Sequence, residues 1–177
     1  DNLNGNLTQK IDNGLVTANT DGSFTDTGTD KSIEVIKYVN NTTNGVIGLP
    51  YEDTLYDLNL SRIRSTRIYY DNNLTLGTVG AGNPTKIENW VTGSTYVTNQ
   101  KSYNPNGTVA NETDPRGYVT SYIYDTHNLY PSTVTRPLSN ITSYTYDYSS
   151  GKPKQITDAN NFVYQNIYDG FGRILEE

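Results

Sequence analysis

Cysteine and methionine are absent from this 177-residue chain, and histidine occurs once, at His127. Without cysteine there are no disulfides and no thiolate metal sites. A single histidine makes a histidine-based metal cluster impossible and leaves a Ser-His-Asp triad one position to use. Hydrophobic residues are scarce too, at 33%, below the usual globular share. Asn, Thr, Gly and Tyr stand where Leu, Ala and Met would be expected. No apolar run is long enough to span a bilayer, and no stretch reads as a signal peptide. Positive charge is sparse: 13 Lys and Arg against 19 Asp and Glu give a net charge of −6 and a pI near 4.7. That balance argues against a nucleic-acid or anionic-membrane surface. Arg62, Arg64 and Arg67 form only a local group, expected on a solvated strand edge.

What the chain has instead is tyrosine, sixteen of them, in a regular pattern. Tyr124-Asp125, Tyr146-Asp147 and Tyr168-Asp169 lie 22 residues apart, and Tyr103-Asn104 holds the same place 21 residues upstream. Thr92, Thr113, Thr135 and Thr157 each precede the next of these tyrosines by 11 residues. A unit this short cannot bury a core alone and must stack on copies of itself.

The copies share turn chemistry followed by strand alternation. In Thr113-Asp114-Pro115-Arg116-Gly117, Asp can bond the backbone two residues on, Pro presets φ, and Gly accepts positive φ. Ser139 and Asn161 occupy the Gly117 position in the next copies. After the turn, Tyr118, Thr120, Tyr122 and Tyr124 would face one way and Val119, Ser121 and Ile123 the other. Thr142, Tyr144 and Tyr146 oppose Ile141 and Thr145 in the same way, as Phe162, Tyr164 and Tyr168 oppose Val163 and Ile167. β-Branched and aromatic residues fill most of these places, and no helical apolar stripe competes. The expected fold is all-β: tandem antiparallel hairpins of about 22 residues in a curved, twisted sheet. Tyr124, Tyr146 and Tyr168 are expected to share a face and form an aromatic ladder.

The chain reads as one repeat region over 1–177, with divergent repeats and longer loops over 1–83 and regular repeats over 84–177. Within the first part, Ile33 to Tyr38, Val46 to Leu49 and Ile63 to Tyr70 read as strands, and Asn13-Gly14 and Asn44-Gly45 as hairpin turns. Gly77, Gly80 and Gly82 crowd an enlarged hairpin loop, which lacks the Gly-Lys-Ser/Thr ending of a phosphate cradle. Pro84-Thr85-Lys86-Ile87 matches Pro131-Ser132-Thr133-Val134 and Pro153-Lys154-Gln155-Ile156. Both ends fall inside a unit, so the sequence is expected to be a piece of a longer chain, associating or fraying at its terminal strands.

Tyr168-Asp169-x-x-Gly172-Arg173-Ile174, Thr113-Asp114-Pro115-x-Gly117 and Tyr122-x-Tyr124-Asp125 resemble the signature of the rearrangement-hotspot (RHS), or YD-repeat, family. The match is specific from about Pro84 onward and fainter before it. The resemblance implies a long β-ribbon spiralling into a hollow shell. Such shells occur in bacterial polymorphic toxins, in the B and C subunits of insecticidal toxin complexes, and in animal teneurins. In the bacterial members the shell encloses a toxic C-terminal segment. The implied role is structural and non-catalytic, in a secreted or cell-surface protein, with the remaining repeats and a toxin segment as partners. The segment departs from the family in having no recognisable self-cleaving core segment and no variable toxin tail.

No cofactor, metal or catalytic constellation is expected beside that signature. Asp114-Pro115 reads as a turn rather than a cleavage site, because self-cleavage also needs a preorganised acid–base group. Asp125, Asp147 and Asp169 are expected to accept backbone N–H groups rather than bind calcium, since the dense Gly/Asp spacing of repeat calcium sites is missing. Glu52/Asp53 and Glu176/Glu177 are adjacent on strands and would face opposite sides, wrong for glycosidase work. Asn-x-Ser/Thr sequons at Asn6, Asn40, Asn41, Asn59, Asn73, Asn106, Asn111 and Asn140 are what so Asn- and Thr-rich a chain yields by chance. The competing functional reading is an adhesion or carbohydrate-binding module that stacks a glycan on exposed tyrosines or on Trp90.

Overall fold

The computed structural model describes residues 4–176; the first three residues and Glu177, half of the Glu176/Glu177 pair, lie outside them. The described residues are all-β. Sixteen strands run in chain order: β1 (Gln9–Asp12), β2 (Val16–Ala18), β3 (Phe24–Asp26), β4 (Ser32–Asn41), β5 (Val46–Asp57), β6 (Arg62–Tyr70), β7 (Pro84–Thr92) and β8 (Thr95–Tyr103). Then follow β9 (Val109–Thr113), β10 (Val119–Tyr124), β11 (Pro131–Arg136), β12 (Asn140–Asp147), β13 (Lys152–Thr157), β14 (Val163–Gln165), β15 (Ile167–Tyr168) and β16 (Ile174–Glu176). The chain divides into two compact units, one up to Gln100 and one from Lys101.

In the first unit the sheet order is β1-β4-β5-β6-β7-β8, antiparallel at every pairing, with β2–β3 a separate hairpin. Strand β5 is twelve residues long and passes through Pro50, where the sequence pattern had suggested an end. Pro50 has no N–H to donate. It stands opposite Tyr38, where the register shifts between Lys37 and Tyr38, and this bulge absorbs the missing bond. The core of the unit is small: Tyr70 and Val79, with Thr54, Ser65 and Thr85, are its most buried residues. Thr54 and Ser65 satisfy each other through a hydroxyl pair at 2.9 Å, as burial requires.

The 71–83 loop is part of that core. Asp71 Oδ2 accepts the N–H groups of Gly80 (2.7 Å) and Gly82 (3.0 Å), and Oδ1 that of Asn83 (3.0 Å). Burial raises the Asp71 carboxyl, but these donors outweigh it and hold it below the usual carboxylate range. Asn41 and Asn44 tie the loop to the β4–β5 turn by donating to the carbonyls of Val79 and Gly80, both at 3.0 Å.

In the second unit the order is β9-β10-β11-β12-β13-β14, again antiparallel, with β15–β16 a separate two-stranded sheet. Tyr122, Val134 and Thr142 stand in register across β10, β11 and β12. Val134 and Thr142 are buried, whereas Ile123 and Ile141, on the opposite face, are 63% and 45% exposed. The tyrosine and threonine face is therefore the covered one. Large rings shield one another and bring hydroxyls able to satisfy buried carbonyls, so a sheet short of aliphatic residues still gains a closed face.

Candidate functional site

The recurring unit is built by its turns. Asp114, Asp125, Asp158 and Asp169 each accept two backbone N–H groups on Oδ1, from the residues two and four positions on. The donors are Arg116 and Tyr118 (both 2.9 Å), His127 (3.1 Å) and Leu129 (2.9 Å), Asn160 and Phe162 (both 2.9 Å), and Phe171 and Arg173 (both 2.9 Å). Asp57 does the same with Asn59 and Ser61. In every case the residue three positions on donates its N–H to the Asp carbonyl and has positive φ: Leu60, Gly117, Asn128, Asn161 and Gly172. Gly117 has φ of 86° and Gly172 of 74°, a region glycine enters without steric cost. Pro115 sits at the second turn position, where its fixed φ fits.

Asp147 departs slightly, taking the N–H (2.9 Å) and hydroxyl (2.7 Å) of Ser149 on Oδ1 and the Ser150 hydroxyl on Oδ2. Hydrogen bonds from Tyr118 N–H, the Ser149 hydroxyl and Arg173 N–H lead in holding Asp114, Asp147 and Asp169 below the usual carboxylate range. At Asp125 burial works upward, but Leu129 N–H and the Tyr148 hydroxyl outweigh it. Arg116 and Arg173 close over the second oxygens of Asp114 and Asp169. Among the described residues no three or more His, Cys, Asp or Glu side chains come together as a metal site.

The tyrosines of the Tyr-Asp pairs do something the sequence pattern did not reveal. Tyr124 and Tyr146 stand opposite Pro131 and Pro153, each next to a register shift. The Tyr146 hydroxyl donates back to the carbonyl of Pro131 (3.0 Å), and that of Tyr168 to the carbonyl of Pro153 (2.7 Å). Tyr70, which faces Pro84 across another bulge, donates to Pro50 at 2.7 Å. Tyr70, Tyr146 and Tyr168 are thus each locked to a preceding strand through a proline carbonyl. The expected ladder of Tyr124, Tyr146 and Tyr168 rings is replaced by this arrangement. The Tyr146 ring stacks on Tyr130 (4.7 Å between centroids) and Tyr144 (6.2 Å), while Tyr168 belongs to the β15–β16 pair. Bulges re-aim the side chains, so hydroxyl reach replaces ring-to-ring contact. The signal was present in Pro84, Pro131 and Pro153, which recur in step with the tyrosines.

The arginines also differ from expectation. Strand β6 has partners on both sides, so Arg62, Arg64 and Arg67 are on an inner strand, not an edge. Lys37, Glu52, Arg67 and Glu88 stand in register across four strands. Glu52 pairs with Lys37 (2.6 Å) and Arg67 (3.2 Å), and Arg67 covers the Tyr96 ring at 4.4 Å. Arg62 donates to the Tyr96 hydroxyl and lies over Trp90. On the opposite face Arg64 bridges Glu34 (2.8 Å) and Asp53 (3.3 Å). Glu52 and Asp53 are therefore separated by the sheet and committed to different cations. In the second unit Glu112 binds Lys101 (2.7 Å) and accepts from Tyr122 (2.8 Å), whose phenol is pushed up to about 12, first by burial and then by Glu112. His127 lies in a turn, edge-on to Tyr148 at 5.0 Å.

Residues 103–141 match the family model of the RHS repeat. No curated protein matches the chain. Solved structures similar in fold include that of TcdB2-TccC3-Cdc42, at 15% identity and a TM-score of 0.65, and that of TcdB2-TccC3 without its hypervariable C-terminal region, at 14% and 0.65. Each alignment covers 81% of this chain but 10% of the solved one, so the chain spans about a tenth of their length. The chain carries an RHS repeat over 103–141 and shares the fold of the aligned part of these structures.

Proposed function

We propose that this RHS-repeat chain is a non-catalytic wall segment of a β-shell that encloses or presents a toxin or effector segment within a larger secreted or cell-surface protein. The observation that carries this reading is the tyrosine–proline lock, which ties Tyr70, Tyr146 and Tyr168 each to a preceding strand. Such a device serves propagation of a sheet; it holds no nucleophile, base or open coordination position. Asp57, Asp71, Asp114, Asp125, Asp158 and Asp169 are occupied by backbone donors and Glu34, Glu52, Asp53 and Glu88 by cations, so none of these carboxylates is poised for acid–base work. Likeness in fold to TcdB2-TccC3 supports the shell, and the RHS repeat supports neighbouring repeats as the first partners. The whole of 1–177 then acts as one repeat region, whose first part carries the longer loops.

The absence of cysteine supplies the test. Single cysteines placed at Thr120 and Ser121, neighbours in β10 that face opposite sides of the sheet where the register is unbroken, would each be the only thiol this region contributes to its parent protein. A closed shell shields one of them from a maleimide reagent until the parent is unfolded and leaves the other reactive. Equal labelling of both in the folded parent would overturn the shell.

A further inference from the structure

The second unit has an open groove of about 330 Å³, lined by Tyr146, Tyr148, Lys154, Asn166, Ile167 and Tyr168 among others. Its aromatic walls are fixed. Tyr146 and Tyr168 spend their hydroxyls on proline carbonyls, and the Tyr146 ring is stacked on Tyr130. Tyr148 is half exposed and donates to Asp125 at 2.8 Å. Rigid rings lose little entropy when a ligand arrives. The polar groups of the groove are few: Asp147, whose carboxylate is taken up by Ser149 and Ser150, and beside it Lys154 and Asn166. Lys37, Lys86 and Lys101 are each paired with a glutamate, and Lys152 donates to the Gly172 carbonyl. Lys154 has neither an ion pair nor a hydrogen bond through its ammonium among the described residues, in a chain of net charge −6. Asn166 donates its amide nitrogen to Pro153 at 3.1 Å and keeps its carbonyl oxygen as a spare acceptor.

These features together discriminate among ligands. An extended peptide would need free backbone donors and acceptors along an edge, but here Asn166 N–H already donates to the Lys154 carbonyl at 2.9 Å. An apolar ligand would make no use of the ammonium and the amide oxygen at the rim. A pyranose satisfies all of them: its C–H face lies against a tyrosine ring, a hydroxyl donates to Asn166, and an acidic substituent meets Lys154. We propose that this groove is a subsite for an acidic saccharide of the hexuronate class. The proposal does not depend on the shell role.

The test is titration of the full 177-residue chain with a glucuronate-containing tetrasaccharide, followed by amide chemical shifts and calorimetry. A neutral glucose tetrasaccharide and tetraglutamate are run beside it. Saturable binding is expected, with shift changes centred on Tyr148, Lys154 and Asn166. Lys154→Ala, at an exposed position that leaves the fold intact, should weaken the uronate about tenfold, as loss of one charge-assisted bond does. The same change should leave the weaker neutral sugar unaffected, while Tyr148→Ala weakens both. No saturation up to about 10 mM, where any useful affinity would register, overturns the subsite. So does equal binding of tetraglutamate, or uronate binding that survives Lys154→Ala undiminished.

Discussion

The hydroxyl of Tyr146 reaches back 15 residues to the carbonyl of Pro131, the residue that faces Tyr124 across the preceding hairpin. Tyr168 repeats the contact on Pro153 over the same separation. Proline suits the acceptor position because it has no N–H to leave unsatisfied at the bulge, while its carbonyl stays available.

Removing that hydroxyl tests the lock. Tyr146→Phe keeps the ring and its stacking on Tyr130 but deprives Pro131 of its donor, and should cost about 0.5–1.5 kcal/mol in chemical denaturation. Tyr164→Phe, at an exposed tyrosine whose hydroxyl makes no hydrogen bond among the described residues, should change nothing measurable. Equal stability of Tyr146→Phe and the parent chain would show the contact to be idle.

The turns permit a comparison of glycines. An added Cβ at Gly117 would meet nothing within 4 Å, so its φ of 86° is the whole obstacle. Gly117→Val should therefore destabilise by roughly 1–2 kcal/mol. Gly170 also has open space, but its φ is not in the left-handed region, and Gly170→Ala should be neutral or slightly stabilising. Melting curves of the two variants should separate in that order.

Leu60 provides the converse case. It holds a φ of 60° at the position where the other turns use Gly or Asn, and it is 66% exposed. Leu60→Gly relieves the Cβ strain without loss of packing and should stabilise by up to about 1 kcal/mol. A lower melting temperature for this variant would mean that Leu60 makes a contact that offsets its strain.

Glu52 and Asp53 should respond oppositely to neutralisation. Burial raises Glu52, but Lys37 and Arg67 outweigh it and hold its carboxyl below the ordinary value of 4.5. Its folded state favours the ionised form, so its contribution is full above that value and is lost as pH falls through the depressed folded one. Glu52→Gln should destabilise at neutral pH, by about 1–2 kcal/mol for the loss of two charge-assisted bonds in a partly exposed pair, and should flatten the acid limb. Asp53 is shifted upward from 3.8, by burial first and by Glu34 against the pull of Arg64. Its folded state favours the protonated form, so its favourable contribution exists at low pH and is gone once pH rises through the raised value. Asp53→Asn should then be neutral or stabilising at pH 7. Denaturation at pH 7 and pH 4 distinguishes the pair, and the same sign for both would refute the assignment.

Period and turn chemistry were legible in the sequence because they are local. Tyr-Asp spacing set the length of the hairpin, Asp followed three residues later by Gly or Asn marked the turns at Asp114, Asp125, Asp158 and Asp169, and alternation of β-branched and aromatic residues made the chain all-β. Which residues would meet across the sheet was not legible. A one-residue shift at a proline changes every partner beyond it, and the bulges at Tyr38–Pro50, Tyr70–Pro84, Tyr124–Pro131 and Tyr146–Pro153 each add such a shift. The Tyr146 ring therefore came to rest on Tyr130, and its hydroxyl on Pro131. For the same reason Arg67 came into line with Glu52 and Glu88 on an inner strand. Repeat length and strand type follow from nearest neighbours in the chain; register, and with it every lock and ion pair between units, was decided only when the strands were laid side by side.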